Sequence, residues 1–465
     1  MGLKQFEEQM ERLLGKEEFG KYQQSMISKS ARGVVLNTNL ASAEQILKVT
    51  NIGVNKLSFC DYGYKLLKEE KLGNTWFHHA GLIYLQEPSS MAPASMFLDL
   101  THKRVLDLCA SPGGKTVDLA LRMNGSGLIV SNEIVGKRAG VLFSNVERLG
   151  LGNVVVTNNS PKELEDEFES FFDCILVDAP CSGEGMFRKN PDQIQEWSIA
   201  SVKACAIRQK EILKSAYKML TAGGYMVYST CTFNTIENEE VMLFAKNELG
   251  LKTIKPDDKI IRVSHDGKIL NEEHDLAFCR RFYPQDGIGE GQFMCLLQKN
   301  DGGFAKNEEK LHNSKNKIAQ KLQKPSKQEQ NLIENFIHET TDGLKFEHFV
   351  KIKDNIFGSN FGEILDKDAN FISCGVNIGK IEKGRVIPHH QFFKVCGKFF
   401  KFKIELDEKS VASYLKGEEI EVNSNLNGFV CVMKDGFVLG GGKVSLSRLK
   451  NYYPKGLRAV TNKIE

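Results

Sequence analysis

Between residues 104 and 231 the chain alternates short apolar runs with longer segments in which apolar residues recur every three or four positions. The runs are RVLDLC (104–109), GLIVSNE (127–133), NVVVTN (153–158), FDCILVDAP (172–180) and GYMVYSTC (224–231). Short, nearly unbroken apolar runs bounded by turn residues predict strands buried on both faces, and the segments between them predict helices. One long helix is expected over roughly 192–220, ending before Ala222-Gly223-Gly224. This alternation is the signature of an α/β unit, a parallel sheet covered by helices on both sides, and it is placed at 96–300.

The flanks read differently. MGLKQFEEQMERLLGKEEF at the start is an amphipathic helix with Phe6, Met10, Leu13 and Leu14 on one face, and not a signal peptide. With extended runs such as RGVVLNTNL (32–40) it predicts a small α+β domain over 1–95. Residues 301–330 are rich in Lys, Asn and Gln and read as a solvated linker. From 331 to 465 alternating apolar residues and glycine turns predict a β-rich domain, with Gly440-Gly441-Gly442 as one of the turns.

Composition narrows the picture little. A formal net charge of +3 on 465 residues means that any basic surface is local. The best nucleic-acid patch is Lys443, Arg448, Lys450, Lys455 and Arg458, interleaved with Tyr452 and Tyr453 and faced only by Glu465. No apolar run approaches the ~20 residues that span a bilayer, so no membrane partner is expected. Eleven cysteines without a CxxC pair argue against a disulfide framework and against a metal site, and place the chain in a reducing cytoplasm.

The chemistry gathers at strand ends, where ligands bind in sheets of this kind. After the first strand, Pro112, Gly113 and Gly114 allow a tight turn in which backbone N–H groups approach a ligand. Glu133 ends the next strand, where an acid accepts hydrogen bonds from ribose hydroxyls. Neither G-x-G-x-x-G nor G-x-x-x-x-G-K-[ST] is present. A cofactor held through its ribose fits better, and S-adenosyl-L-methionine is the candidate. Cys181 follows Asp178-Ala179-Pro180, and Cys231 follows Ser229-Thr230. If their strands pair, about 5 Å apart, both thiols open onto one pocket. That arrangement suits methylation of a pyrimidine at carbon 5: a thiolate adds at carbon 6 to make carbon 5 nucleophilic, Asp178 near ring N3 stabilises the adduct, and a second cysteine helps to break it down.

Three stretches, DLCASPGGKT, ILVDAPCSGEGMFRKNPD and YSTCTFNTIENEE, resemble the Nop/Sun family of RNA (cytosine-5) methyltransferases, and most closely its bacterial RsmF-type 16S ribosomal RNA enzymes. The likeness extends to RGVVLNT and HHAGLIYLQEPSSM upstream and to GKVSLSRLKNYYPKGLR (442–458) downstream. It implies a Rossmann-like class I methyltransferase core with an RNA-binding N-terminal domain and a PUA-like RNA-binding C-terminal region. It further implies Cys231 as the nucleophile and Cys181 as the aid to product release. The cofactor site would comprise Cys109, Ala110, Ser111, Pro112, Gly113, Gly114, Lys115, Glu133 and Asp178, with Arg138 in support. Many members carry an acid beside the adenine after the third strand; here Ser160 stands at that place, with Asn159 as the alternative. The expected partner is 16S ribosomal RNA or the small subunit, met by a monomer. A transfer-RNA cytosine-5 methyltransferase and a ribosome-assembly RNA-binding factor remain the competing readings.

Several residues stay open between a functional and a plain role. Lys115 suits contact with the base or the cofactor carboxylate, or is a solvated lysine in a first helical turn. Arg188 and Lys189 suit a clamp on the flipped nucleotide, or an ordinary surface loop. His78 and His79 read as structural or RNA-facing, Trp197 as core beside Ile194, and Asn234 with Glu237 as a helix start.

Overall fold

The computed structural model describes residues 2–300 and 321–458. Most of the expected linker (301–320) and Glu465 lie outside these residues. Ser326, near the linker's end, already caps a helix, Lys327–Thr340.

The central sheet contains β1 (Arg104–Asp107), β2 (Leu128–Asn132), β3 (Val154–Thr157), β4 (Phe172–Asp178), β5 (Leu220–Thr230), β6 (Arg280–Phe282) and β7 (Gln292–Gln298). Their spatial order is β6-β7-β5-β4-β1-β2-β3. The five strands from β5 to β3 run parallel, and β7 lies antiparallel against β5. From β1 the chain builds one way through β2 and β3, then the other way through β4 and β5, so the order reverses at β1. That reversal opens a crevice at the carboxyl ends of β1 and β4. Val105, Leu106, Ile129, Val130, Val155, Ile175, Leu176 and Val227 are fully buried, as strands covered on both faces require.

Helix and strand boundaries depart from expectation in several places. The helix expected over 1–19 is broken at Gly15, whose φ of 81° ends Gly2–Leu14 and starts Lys16–Ile27. The helix expected over 192–220 is two helices, Gln193–Glu196 and Ile199–Met219. The break falls at Ser198, whose hydroxyl accepts from Ser201 N and caps the longer helix. Ala222-Gly223-Gly224 lies within β5, which begins at Leu220.

The flanking regions interlock with the core. An antiparallel sheet in the order Val54–Lys56, Gly63–Leu66, Gly33–Leu36, Ile83–Gln86 forms the heart of the N-terminal region. Ahead of it, helices Gly2–Leu14 and Lys16–Ile27 make a hairpin that packs elsewhere. Phe6, Met10, Phe19 and Tyr22 are buried with Phe187, Trp197, Phe233 and Tyr283 of the central domain. At the other end, strand Phe371–Cys374 pairs antiparallel with β3, so the region beyond 331 lends a strand to the central sheet. A five-stranded sheet lies further on, in the order Lys403–Glu405, Gly428–Lys434, Phe437–Ser445, Arg448–Asn451, Ile420–Glu421. Its Val430 and Leu449, with Tyr414 and Tyr453 beside it, share one apolar core with Val34 and Leu36 of the N-terminal sheet and with Trp76 and Phe77. His79 belongs to that junction, its Nδ1 2.8 Å from the Tyr453 hydroxyl. Burial lowers the pKa of His78 to about 3 and of His79 to about 4, so both rings are neutral and structural.

The glycine run expected as a turn is instead the middle of strand Phe437–Ser445. The reason is packing. A Cβ on Gly441 would stand 2.2 Å from the Phe393 ring, on the helix His390–Cys396 that crosses the strand. Replacing Gly441 with Ala should overpack this contact and cost about 1–3 kcal/mol. Thermal unfolding should show a lower midpoint, and an unchanged midpoint would refute the packing account.

Candidate active site

Three strand ends and two loops build the site. After β1 the chain turns through Ala110-Ser111-Pro112-Gly113 into the helix Gly114–Met123. Gly113 has φ +116°, and a Cβ there would meet Leu142 Cδ1 at 3.1 Å. Gly114 lies under Gln86, with a hypothetical Cβ 3.1 Å from that amide carbon. Ala110 N donates to Asn132 O at 2.8 Å, tying the turn to the end of β2. Burial pushes the Cys109 thiol well up, so it stays protonated.

Glu133 follows β2, almost wholly buried. One carboxylate oxygen accepts from Val135 N at 2.9 Å, and the other lies 3.5 Å from the Arg138 guanidinium. Arg138 also donates to Ser111 O at 2.9 Å, and Ser111 Oγ donates to Arg138 O at 2.9 Å. The turn, Glu133 and Arg138 therefore come together as one cradle, a chemically fitting seat for ribose hydroxyls. Ser160 is placed differently. It is the N-cap of the helix Pro161–Glu167, its hydroxyl engaged with Glu163 in a capping box. Asn159 is buried, and its side-chain oxygen accepts from Asn370 N at 3.1 Å.

At the end of β4, Asp178 Oδ2 accepts from Lys115 Nζ at 2.8 Å and Oδ1 from Ser229 Oγ at 2.8 Å. Burial would lower the pKa of Lys115, but the Asp178 charge more than offsets it and holds the ammonium protonated. Lys115 is thus no solvated lysine. β4 and β5 pair with Asp178 opposite Ser229. Three residues beyond Asp178 and two beyond Ser229, Cys181 Sγ and Cys231 Sγ lie 3.4 Å apart, both thiols free. The contact with Cys231, together with burial, pushes the Cys181 thiol well up.

Behind the cysteines stand buried carboxylates that the sequence reading missed. Glu184 accepts from Phe233 N (2.7 Å), Asn234 N (2.9 Å), Asn234 Nδ2 (3.1 Å), Trp197 Nε1 (3.1 Å) and Gln9 Nε2 of the first helix (2.9 Å). Glu237 accepts from Ser182 N (3.0 Å), Gln209 Nε2 (2.8 Å) and Asn234 Nδ2 (2.8 Å). Asn234 and Glu237 therefore brace the loop, and the next helix starts only at Glu239. Arg281 pairs with Glu239 and donates to Phe233 O at 2.6 Å. Asp107, at the end of β1, is fully buried; one oxygen accepts from Thr116 Oγ1 at 2.7 Å and the other has no protein partner. Desolvation pushes its pKa up to about 7. A signal for Asp107 was present, an acid inside an apolar run. Glu184, between two glycines, looked like surface loop.

Two expected nucleic-acid contacts change. Arg188 is not a free clamp: its guanidinium holds the buried Glu290 at 2.7 and 2.8 Å and donates to Ser25 O at 2.8 Å. A buried carboxylate needs such a counter-charge. Lys189 stays exposed. In the C-terminal patch Lys443, Arg448, Lys450 and Lys455 are exposed, but Tyr453 is buried and offers no stacking face. A cleft of about 990 Å³ lies among the loops that precede β2 and β3, at the end of the sheet away from the cysteines. Among the described residues no group of three His, Cys, Asp or Glu could hold a metal ion, and no helix is long and apolar enough to cross a membrane.

The family model described as "16S rRNA methyltransferase RsmB/F" matches residues 95–298. The "N-terminal domain of 16S rRNA methyltransferase RsmF" matches 3–88, and the "Methyltransferase RsmF PUA domain" matches 401–459. The Ribosomal RNA small subunit methyltransferase F of Vibrio vulnificus is 30% identical over 460 residues, covering 96% of this chain and 94% of its own. The protein of the same name from Escherichia coli O157:H7 is 38% identical over 308 residues, 64% of this chain and 62% of its own. Among solved structures, a methyltransferase homolog from Pyrococcus horikoshii superposes with a TM-score of 0.56 at 26% identity, over 63% of this chain and 93% of that one. The strands that carry Asp178, Cys181 and Cys231 thus lie inside a match flanked by two others, and the chain belongs to the 16S rRNA methyltransferase RsmB/F family, with the N-terminal and PUA domains of its RsmF members.

Proposed function

We propose that this S-adenosylmethionine-dependent rRNA methyltransferase methylates carbon 5 of cytosine in 16S ribosomal RNA through a covalent cysteine adduct, in a bacterial cytoplasm. The observation that carries the reading is the pair of thiols 3.4 Å apart beside the Lys115–Asp178 ion pair. When bound, S-adenosylmethionine supplies an electrophilic methyl group. The turn from Cys109 to Lys115 would hold it, with Glu133, oriented by Arg138, on its ribose hydroxyls. Ser160 is spent on its cap and the Asn159 oxygen on Asn370 N, so an adenine-side contact from Asn159 would come from its Nδ2.

The target base must leave its stack to reach the thiols. The Cys231 sulfur, as thiolate, then bonds to ring carbon 6. The C5–C6 π pair moves to C4–C5, and the C4–N3 pair moves onto N3, which takes a proton from the Lys115–Asp178 pair. Carbon 5 of the resulting enamine would take the methyl group with its π pair, the pair of the broken methyl–sulfur bond staying on the cofactor sulfur, while the C4–N3 double bond re-forms and N3 returns its proton to the ion pair. Elimination removes the C5 proton, restores C5–C6 and expels the Cys231 sulfur with the C6–S electrons. Cys181, held protonated, gives its proton to that sulfur and takes the C5 proton in exchange. The N- and C-terminal domains grip RNA around the site, and the protein works as a monomer.

In full-length protein incubated with labelled methyl donor and 16S RNA, Cys181→Ala should accumulate a covalent protein–RNA adduct on denaturing gels, and Cys231→Ala should form none. A reversed pattern would move the nucleophile to Cys181, and no adduct with labelling intact would reject the covalent route. Asp178→Asn removes the negative charge that keeps Lys115 protonated, and methyl transfer should fall about 10²–10⁴-fold; near-wild-type rates would exclude the N3 role. Burial favours the protonated form of Asp107, against the Thr116 hydrogen bond, which favours the ionised one. Its folded pKa, about 7, lies above the unfolded value of about 3.9. The stability it contributes is therefore full below about pH 4 and lost as pH rises through about 7. The unfolding midpoint of wild type should fall relative to Asp107→Asn between these pH values, whereas a constant gap would show that Asp107 does not titrate there.

A further inference from the structure

The first helical hairpin ends at Ile27, and beyond it a cleft of about 570 Å³ opens between residues 28–32, the end of the strand Gly63–Leu66 with the residues that follow it to 69, and the segment 284–289. We propose that this cleft seats the RNA sugar–phosphate backbone next to the target nucleotide. The inference rests on RNA being the substrate and adds the route by which the strand reaches the thiols.

The first argument is charge. Lys29, Arg32, Lys65, Lys68 and Arg188 line the cleft against one lining carboxylate, Glu69. Arg188 is neutralised by Glu290. Lys29 pairs with Glu69 at 2.9 Å, but both side chains are exposed, and such a pair yields readily to a phosphate. Arg32 donates one N–H to Glu70 O at 3.2 Å, and Lys65 Nζ donates to Gly287 O at 2.6 Å. Carbonyl partners orient these groups without cancelling their charge. Lys68 has no partner among the described residues. Three uncompensated cations thus surround one concave surface, the pattern that tracks a nucleic-acid backbone.

The second argument is apolar surface in the same place. Leu67 lines the cleft at 59% exposure, and Ile27 stands beside it at 89%. Alternating cationic and apolar positions suit a strand that presents phosphates and the faces of sugars and bases together.

The third argument is position. Gly185 N donates to Cys231 O at 2.8 Å, and a Cβ on Gly185 would stand 3.2 Å from Glu290 O. Glu290 holds Arg188, which lines the cleft. The cleft therefore begins one ion pair away from the backbone of the proposed nucleophile. On this proposal the phosphates that neighbour a cytosine turned toward Cys231 lie on this side.

The test uses the full chain, labelled 16S RNA and the double variant Arg32→Ala/Lys68→Ala, with binding measured without methyl donor over a series of KCl concentrations. The slope of log affinity against log salt should become shallower by roughly 0.7 per lost phosphate contact on a single strand, or about 1.4 for the pair. The KM for RNA should rise about tenfold or more while the KM for S-adenosylmethionine holds. Lys203→Ala/Lys214→Ala, on the helix Ile199–Met219, serves as the control of equal charge. An unchanged slope and KM, or an equal loss in the control, would overturn the assignment. Binding is read independently of chemistry. A wild type that binds RNA but transfers no methyl group overturns the reaction reading and leaves the slope test of the cleft in force, whereas a wild type that binds no RNA overturns both.

Discussion

The register between β4 and β5 is the constraint from which the site follows. Because Asp178 lies opposite Ser229, the carboxylate accepts from that serine, and the two chains leave the sheet side by side with their thiols in contact. Side chains alternate faces along a strand, so a slip of one residue would send Asp178 and Cys231 to opposite sides of the sheet. Nothing local guards against such a slip. The register runs through the pairs Ile175–Met226, Leu176–Val227 and Val177–Tyr228, all fully buried, so a slip would have to repack both faces of the sheet.

Once past the sheet, the two cysteine-bearing segments have no ladder to hold them, and their backbone polar groups would be costly to bury unpaired. Glu184 and Glu237 resolve this. Each sits buried and accepts several hydrogen bonds, largely from backbone N–H groups and amide side chains of the same two segments. Charged acceptors make stronger bonds than neutral ones, and in a low-dielectric setting removing one would strand several donors together. The Arg281–Glu239 pair closes the network by holding Phe233 O. Preorganisation of the thiols is thus electrostatic at the loops and hydrophobic at the sheet.

The regions on either side of the core are built into it. Gln9 of the first helix reaches Glu184, and Tyr22 meets the Phe233 ring edge-on at 6.0 Å, so the N-terminal hairpin braces the loops that carry the cysteines. The N-terminal sheet and the C-terminal five-stranded sheet bury one another's apolar faces, and strand Phe371–Cys374 extends the central sheet. Both ends of the chain are therefore held in fixed relation to the thiols, the arrangement that the proposed grip on RNA requires.

Apolar runs and their punctuation determined the α/β core by themselves, because strands buried on both faces must be continuously hydrophobic. They also made visible the strand ends that carry Cys109, Glu133, Asp178, Cys181 and Cys231, where polar residues interrupt those runs. Only the tertiary structure decided what lies behind them. Glu184 read as part of a surface loop, Glu237 as a helix start, and Glu290 carried no signal, since nothing local reveals that partners from positions 9, 188, 209 and 234 will surround them. Gly440–Gly442 read as a turn, because the ring of Phe393 that makes glycine necessary comes from a different element. Local pattern reports which residues must avoid water. Which polar groups are buried with them depends on contacts distant in the chain.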